Sequence, residues 1–427
     1  MMTTGGPSPR WLFAGILIAV VIWAVTAVTF LPQRVPDSDQ YIRLAESKRT
    51  EVPAPFANRV LQPAIVRAVH LATGIPLESA FYAVAVAGLL LFCICVAWMV
   101  RAHGPLAAAG VLMLPFLAGT FRPPFLGGFF PQVFLADMVH AALVALFLVL
   151  ISRRFWFAAI MVLFALQLTR ETSLLLGFIA AALAWRDGSR RFAVGAVAAG
   201  LLGVAVASFF ARGAAPNPHG LETFVYLMLK APFDTAHNLG IELWSNTLPN
   251  PAGSPAWTIA VPSWLPSGGM TTVGFVGFDA LPMLRTLAGV VTLFGVIPGF
   301  MAGSGLGGLW RMSSDHDLAI RIALWYGLAA FLIAPISGAA VWRLLAYGWP
   351  AFVVAVPPML APHVRALNAS QLRALVALHI VAAWAIVLLR LDTITGLAIA
   401  LAAGLTSNLV SARLAHASRG ADQSSSN

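Results

Sequence analysis

The sequence predicts an all-α, polytopic integral membrane protein with about twelve transmembrane helices. Three observations predict it. Hydrophobic residues make up 59% of the 427-residue chain and charged residues only 10%, with a mean hydropathy of +0.85; a soluble domain carries about 25% charged residues. The apolar residues come in runs close to the roughly 20 residues that a helix needs to cross a bilayer. The arginines between the runs cluster in every second loop, the pattern of a chain threaded repeatedly through a membrane with its basic loops inside.

The runs centre near residues 21, 89, 112, 142, 162, 178, 201, 294, 326, 350, 380 and 400. The last two lie close together, and merging them gives eleven spans. The first run, residues 11–31, reads as a retained signal-anchor: it is longer than a usual signal-peptide core, and no small-x-small cleavage site follows it. Arg153 with Arg154, Arg186 with Arg190 and Arg191, Arg365 with Arg373, and Arg413 with Arg419 then fall on the same side as Arg10. That side is the cytoplasm. Both termini are expected there, with the protein in a bacterial inner membrane.

The opposite side holds two long loops, 32–76 and 212–284, within a single integral membrane domain covering residues 1–427. Interfacial helices are expected in both. In the first loop Val60, Leu61, Ala64, Ile65, Ala68 and Leu71 cover one arc of a helix, with Arg59, Gln62 and His70 outside it; such a helix lies on a membrane surface. In the second, residues 222–244 form a similar stretch broken at Pro232, and Trp244, Trp257 and Trp264 are candidate interface anchors. Residues 421–427 form a short, polar, disordered tail.

Charge and cysteine usage narrow the partners. The formal net charge is +10, and all but Lys48 and Lys230 of the 26 basic residues are arginines. That balance suits anionic headgroups and phosphate ligands. No long basic run lies outside the spans, so nucleic acid is not an expected partner; membrane lipids are. Cys93 and Cys95 sit two positions apart in an apolar run, roughly 200° apart around a helix, so they do not pair. The oligomeric state is left open.

Residues suited to chemistry gather on the outer side. Asp37 and Asp39 stand in the first loop with Arg59. Arg122 lies between spans three and four. Asp137 and His140 are one turn apart near the outer end of span four, Arg170 and Glu171 begin span six, and Arg343 begins span ten. Each alone has an ordinary explanation. A boundary arginine snorkels, a glutamate suits a helix N-terminus, and an Asp-x-Asp triplet is common. Both signs of charge collected on one side of the membrane are less ordinary, because ionisable groups there are costly unless a substrate or water uses them.

The layout of a first span, an outer loop with Asp37-Ser38-Asp39 and surface helices, and then many spans resembles the GT-C class of membrane glycosyltransferases. The string PFANRVLQP at residues 55–63 is similar to a "PF-x-x-R-x-L-x-P" pattern in bacterial members and their relatives, and Arg170-Glu171-Thr172 is similar to an "RET" at a span start. The likeness is sharpest over roughly the first 180 residues; the later half matches only in being multi-span. The resemblance implies a sugar donor carried on a polyprenyl phosphate, transferred with inversion to an acceptor on the outer face. It implies a carboxylate as general base, for which Asp37 or Asp39 is placed, Asp37 sharing a helical face with Tyr41 and Leu44. It implies arginines on the leaving phosphate, for which Arg59, Arg170 and Arg343 are candidates. Arg122, Asp137, His140 and Glu171 complete the expected substrate-binding set. Some members use a divalent metal and others do not, and no metal-ligand spacing here decides between them.

Two other classes are open to such a chain. A lipid-linked saccharide polymerase relies on basic residues in a large outer loop, yet between 212 and 284 only Arg212 and Lys230 stand out. A transporter or flippase ordinarily shows an internal repeat and acidic groups at mid-span; no repeat is visible, and His379 is the main polar residue deep in a run.

Overall fold

The structure is a computed structural model. It describes residues 36–53, 56–101, 134, 136–215, 235–245, 256–261, 269–293, 297–337 and 346–364, with isolated positions between 395 and 413. The expected spans near 21, 112 and 380, most of the one near 400, and the 421–427 tail lie outside the described residues. So do Arg122, Arg343 and His379.

The described chain is mostly helical. The segment expected to be the first long loop carries α1 (Pro36–Ala45) and α2 (Leu61–Thr73). The bundle follows as α3 (Leu77–Val100), α4 (Asp137–Ser152), α5 (Trp156–Gln167), α6 (Ser173–Arg186) and α7 (Arg190–Phe210). It continues with α8 (Ala280–Leu293), α9 (Ile297–Ser314), α10 (Leu318–Ser337) and α11 (Trp349–Val364). Among the described residues α3 and α7 are long and apolar enough to cross a membrane, while α4, α5, α6 and α10 are apolar but yield shorter apolar stretches. A helix of 12 residues such as α5 reaches only about 18 Å, so the twelve-span count is not established. Where one span was expected near 294, two helices flank residues 294–296.

The helices pack in sequence neighbours and then close. α3 lies on α4, α4 on α5, and α7 against both α5 and α6; α10 packs on α6 and α4, and α11 on α10, α4 and α3. Phe81, Phe92, Phe147 and Phe352 are fully buried between them. Beyond Phe192 near its start, the buried face of α7 is made of small residues, Ala193, Ala196, Ala199, Gly200, Gly203 and Ala207. In a membrane, where apolar contact with lipid is as favourable as contact with protein, small residues are what let helices approach. A Cβ at Gly203 would sit 2.5 Å from the Gln167 Cβ. Glycine there lets α7 press on the end of α5, which sets the turn at 168–172.

The segment that carries α1 and α2 is tied to that same end of the bundle. Leu61 N donates to Leu168 O at 3.0 Å, and Ala215 N donates to Val52 O at 3.2 Å beside an isolated Pro53–Ala215 bridge. On α2 the residues turned to the protein are Gln62, Pro63 and Val66, while Ile65 and Leu71 are 37% and 67% exposed. The apolar arc read from the sequence is therefore the uncovered face, the reverse of a helix on a soluble core.

The all-α expectation needs correction within residues 212–284. Residues 235–240 end in a turn, and strand β1 (Ile241–Ser245), not helix, carries Trp244. It joins β2 (Ala256–Val261) and β3 (Gly269–Phe278) in an antiparallel sheet of order β1-β3-β2. Trp257 stands opposite Val273 and Thr258 opposite Thr272. The cause is composition: Trp-Thr-Ile-Ala-Val and Thr-Thr-Val-Gly-Phe-Val are β-branched and aromatic runs, short enough to pass as loop in a chain dominated by long apolar helices.

Candidate functional site

The turn at 168–172, the start of α4, the middle of α10 and the short 3₁₀ turn Ala346–Gly348 meet at one place. A cavity of about 170 Å³ opens there, lined by Glu171, Thr172, Leu175, Tyr326, Ile333 and Tyr347 among others. Close backbone approach builds one wall: a Cβ at Gly348 would lie 2.7 Å from Gly327 O, so two glycines bring Tyr326 and Tyr347 side by side.

Glu171 is held from the segment that precedes α2. Arg59 Nε donates to Glu171 Oε1 at 3.2 Å and Arg59 Nη2 to Oε2 at 3.2 Å, while Nη1 donates to the Tyr41 hydroxyl at 3.1 Å. The guanidinium also lies 5.3 Å from the Phe56 ring centroid. Burial draws the Arg59 pKa down, but Glu171 and Tyr41 more than reverse this, and it ends above the ordinary arginine value. Tyr41 is fully buried and one helical turn after Asp37 on α1. Asp37 is half-buried, whereas Asp39 is exposed.

Behind the cavity lies a second ion pair. Asp137 Oδ1 accepts from Arg170 Nη2 at 2.7 Å and from the Tyr347 hydroxyl at 2.6 Å. The Arg170 guanidinium stacks 4.1 Å from the Tyr347 ring centroid. Both charged side chains are nearly inaccessible, at 4% and 1%. Buried charges persist only when paired and hydrogen-bonded, and this pair is both.

His140, one turn further along α4, completes the network. Its Nδ1 lies 3.2 Å from Thr169 Oγ1 and 3.4 Å from Ser173 Oγ, and its Nε2 lies 3.4 Å from the Tyr326 hydroxyl. Thr169 uses its one hydrogen on Leu166 O at 2.6 Å, so toward His140 it can only accept. In a neutral imidazole Nδ1 is then the N–H, Nε2 is the acceptor, and Tyr326 is the donor to it. Tyr347 likewise donates inward, to Asp137. With Tyr326's hydrogen turned inward and a carboxylate at Glu171, the Glu171–Tyr326 side of the cavity offers hydrogen-bond acceptors, which suits hydroxyl groups better than phosphate oxygens.

Of the residues expected from sequence, Arg59 and Glu171 form one pair and Asp137 and Arg170 another, with His140 beside the second. Asp37 stands one helical turn from Tyr41, the hydroxyl partner of Arg59. The sequence reading missed Tyr326, Tyr347, Thr169 and Ser173. One signal was available: the chain has 27 Phe but only five Tyr, and three of those five, Tyr41, Tyr326 and Tyr347, bond to these ion pairs or to His140. Among the described residues no three His, Cys, Asp or Glu side chains converge as a metal site.

No protein-family model and no curated protein matches the chain. A solved structure to which it is similar is that of the Archaeoglobus fulgidus oligosaccharyltransferase tethered by a disulfide to an acceptor peptide containing the NVT sequon. The TM-score is 0.47 and the identity 11%, over 96% of this chain and 55% of that one. The chain thus spans about half the length of that enzyme. At this level of likeness neither activity nor substrate carries over.

Proposed function

We propose that the protein is a membrane glycosyltransferase that moves a sugar from a polyprenyl-phosphate carrier to an acceptor on the outer face of the membrane. The observation that carries this reading is the cavity at one end of an apolar bundle, bearing an acceptor-rich side at Glu171 and Tyr326 and joined through Arg59 and Tyr41 to the helix that holds Asp37. A membrane-level pocket with apolar walls and few placed polar groups suits a ligand that is part lipid and part polyol.

In this reading Asp37 takes the proton of the acceptor hydroxyl. The freed oxygen attacks the anomeric carbon, the bond from that carbon to the phosphate oxygen breaks, and its electron pair leaves on the lipid phosphate, inverting the centre. Glu171 and Tyr326 orient sugar hydroxyls. Arg59 and Arg170 are committed to carboxylates, so their role is to hold Glu171 and Asp137 in place. The charge on the leaving phosphate then falls to Arg343 or Arg122. The loops at 32–76 and 212–284 belong to the same outer side. Purified protein incubated with a polyprenyl-phosphate sugar and a mixed acceptor pool should yield a new glycosidic bond and free polyprenyl phosphate. Movement of the intact lipid-linked sugar across a vesicle, with no new bond, would refute the enzyme and leave a flippase.

A further inference from the structure

The end of the bundle opposite Glu171 holds a second cavity, of about 300 Å³, between the end of α3, the end of α4, the start of α10 and α11. Its walls include Trp98, Arg101, Ser152, His316, Asp317 and Pro358. Two guanidiniums converge on one ring of this wall: Arg101 Cζ lies 4.1 Å and Arg153 Cζ 4.3 Å from the Trp98 centroid.

Two of the other polar groups here are engaged within the fold. Asp317 Oδ1 accepts from Ile320 N at 3.0 Å and so caps α10, and the Ser152 hydroxyl donates to Val149 O at 3.2 Å. At the same end Arg321 is matched by Asp187 at 2.7 Å. Among the described residues no ion pair or side-chain hydrogen bond engages the guanidinium of Arg101 or of Arg153. Both guanidiniums lie against Trp98, which leaves N–H groups available to an anion. The turn that presents Arg153 is itself unusual, because the next residue, Arg154, holds φ at 59°, a left-handed conformation uncommon for arginine.

The geometry points to a binding site for a phosphodiester headgroup of an anionic phospholipid, with Arg101 and Arg153 donating to its phosphate oxygens. The lipid source follows from position. The cavity lies at the ends of apolar helices, at the end where Arg186, Arg190 and Arg191 also gather, and basic pockets between helices at the cytoplasmic leaflet take such headgroups. Its size suits a glycerophosphate group. This site is separate from the outer cavity and does not depend on the reaction proposed there.

The test uses the full-length protein in nanodiscs of phosphatidylcholine alone or mixed with phosphatidylglycerol. Bound lipid is counted by native mass spectrometry, and the thermal midpoint is recorded. Wild type should retain phosphatidylglycerol selectively and gain thermal stability from it. The double variant Arg101→Gln, Arg153→Gln should lose that selectivity by about tenfold or more, since two charge-assisted donors are removed. Arg101→Lys with Arg153→Lys keeps the charge but not the planar fork, guards against misfolding, and should fall between the two. Equal phosphatidylglycerol retention by wild type and the double Gln variant would overturn the site. Competition by soluble glycerol phosphate that depends equally on both arginines would overturn the lipid assignment in favour of a free phosphate compound.

Discussion

Arg59 and Glu171, 112 residues apart, face each other as a fork on a carboxylate, with three N–H to oxygen distances between 3.2 and 3.3 Å. The pair joins the segment 36–73 to the turn that begins α6. Since Glu171 also lines the cavity, the pair converts a loop position into the position of a carboxylate on the cavity wall.

A double-mutant cycle on Arg59→Gln and Glu171→Gln should therefore show coupling. Glu171 is about one-third exposed, so solvent screens the pair, and about 1–2 kcal/mol is expected rather than the value of a dry pair. Thermal unfolding in detergent measures it. Additive effects within about 0.3 kcal/mol would mean that the two side chains do not act together.

The second pair should behave differently. Asp137 receives both Arg170 and Tyr347 at one oxygen and is inaccessible. Asp137→Ala strands a buried guanidinium and should cost about 3–5 kcal/mol. Arg170→Ala should cost a similar amount, and the double variant Asp137→Leu, Arg170→Met should recover part of it, because the desolvation of both ions disappears. A loss below about 1 kcal/mol for Asp137→Ala would show that the pair is wet.

These contrasts mark what the sequence made legible. Composition and run length gave a mostly helical membrane protein, because the backbone in lipid must satisfy itself. The rarity of charge in such a chain singled out Asp37, Arg59, Asp137, Arg170 and Glu171, but not who pairs with whom. Arg59 with Glu171 and Arg170 with Asp137 depend on which helix ends meet, and sequence spacing does not encode that. The tyrosines at 326 and 347 sit in apolar runs whose periodicity treats them as core. The sheet at 241–278 escaped notice because three short strands leave a weak pattern beside long hydrophobic helices.

Topology supplies a further check. The loops 32–76 and 212–284 should be reachable from outside the cell, and Arg190 and Arg373 should not. Cys93 and Cys95 are buried in α3, so background labelling is low and single cysteines placed at Asp39, Asp279, Arg190 and Arg373 report cleanly. Label from a membrane-impermeant maleimide is expected at the first two only. The reverse pattern would place the Glu171 cavity in the cytoplasm and end the lipid-linked donor reading on the outer face.

The proposed base is tested by isosteric replacement. Asp37→Asn keeps shape and removes the proton acceptor, so transfer should fall by about 10²–10⁴-fold, the usual contribution of a general base, while binding of the polyprenyl phosphate is largely kept. Asp39 is exposed and on another face of α1 from Tyr41, so Asp39→Asn should lower transfer much less. Glu171→Gln keeps an acceptor oxygen but loses the Arg59 pair, and it should raise KM for the sugar donor more than it lowers kcat. Arg343→Ala should weaken polyprenyl-phosphate binding instead, because it removes a charge-assisted donor. The four variants separate the roles through one transfer assay and one lipid-phosphate binding assay. Full activity in the double variant Asp37→Asn, Asp39→Asn would refute α1 as the source of the base, and a fall of 10²-fold or more in kcat for Glu171→Gln alone would move that role to the carboxylate that already lines the cavity.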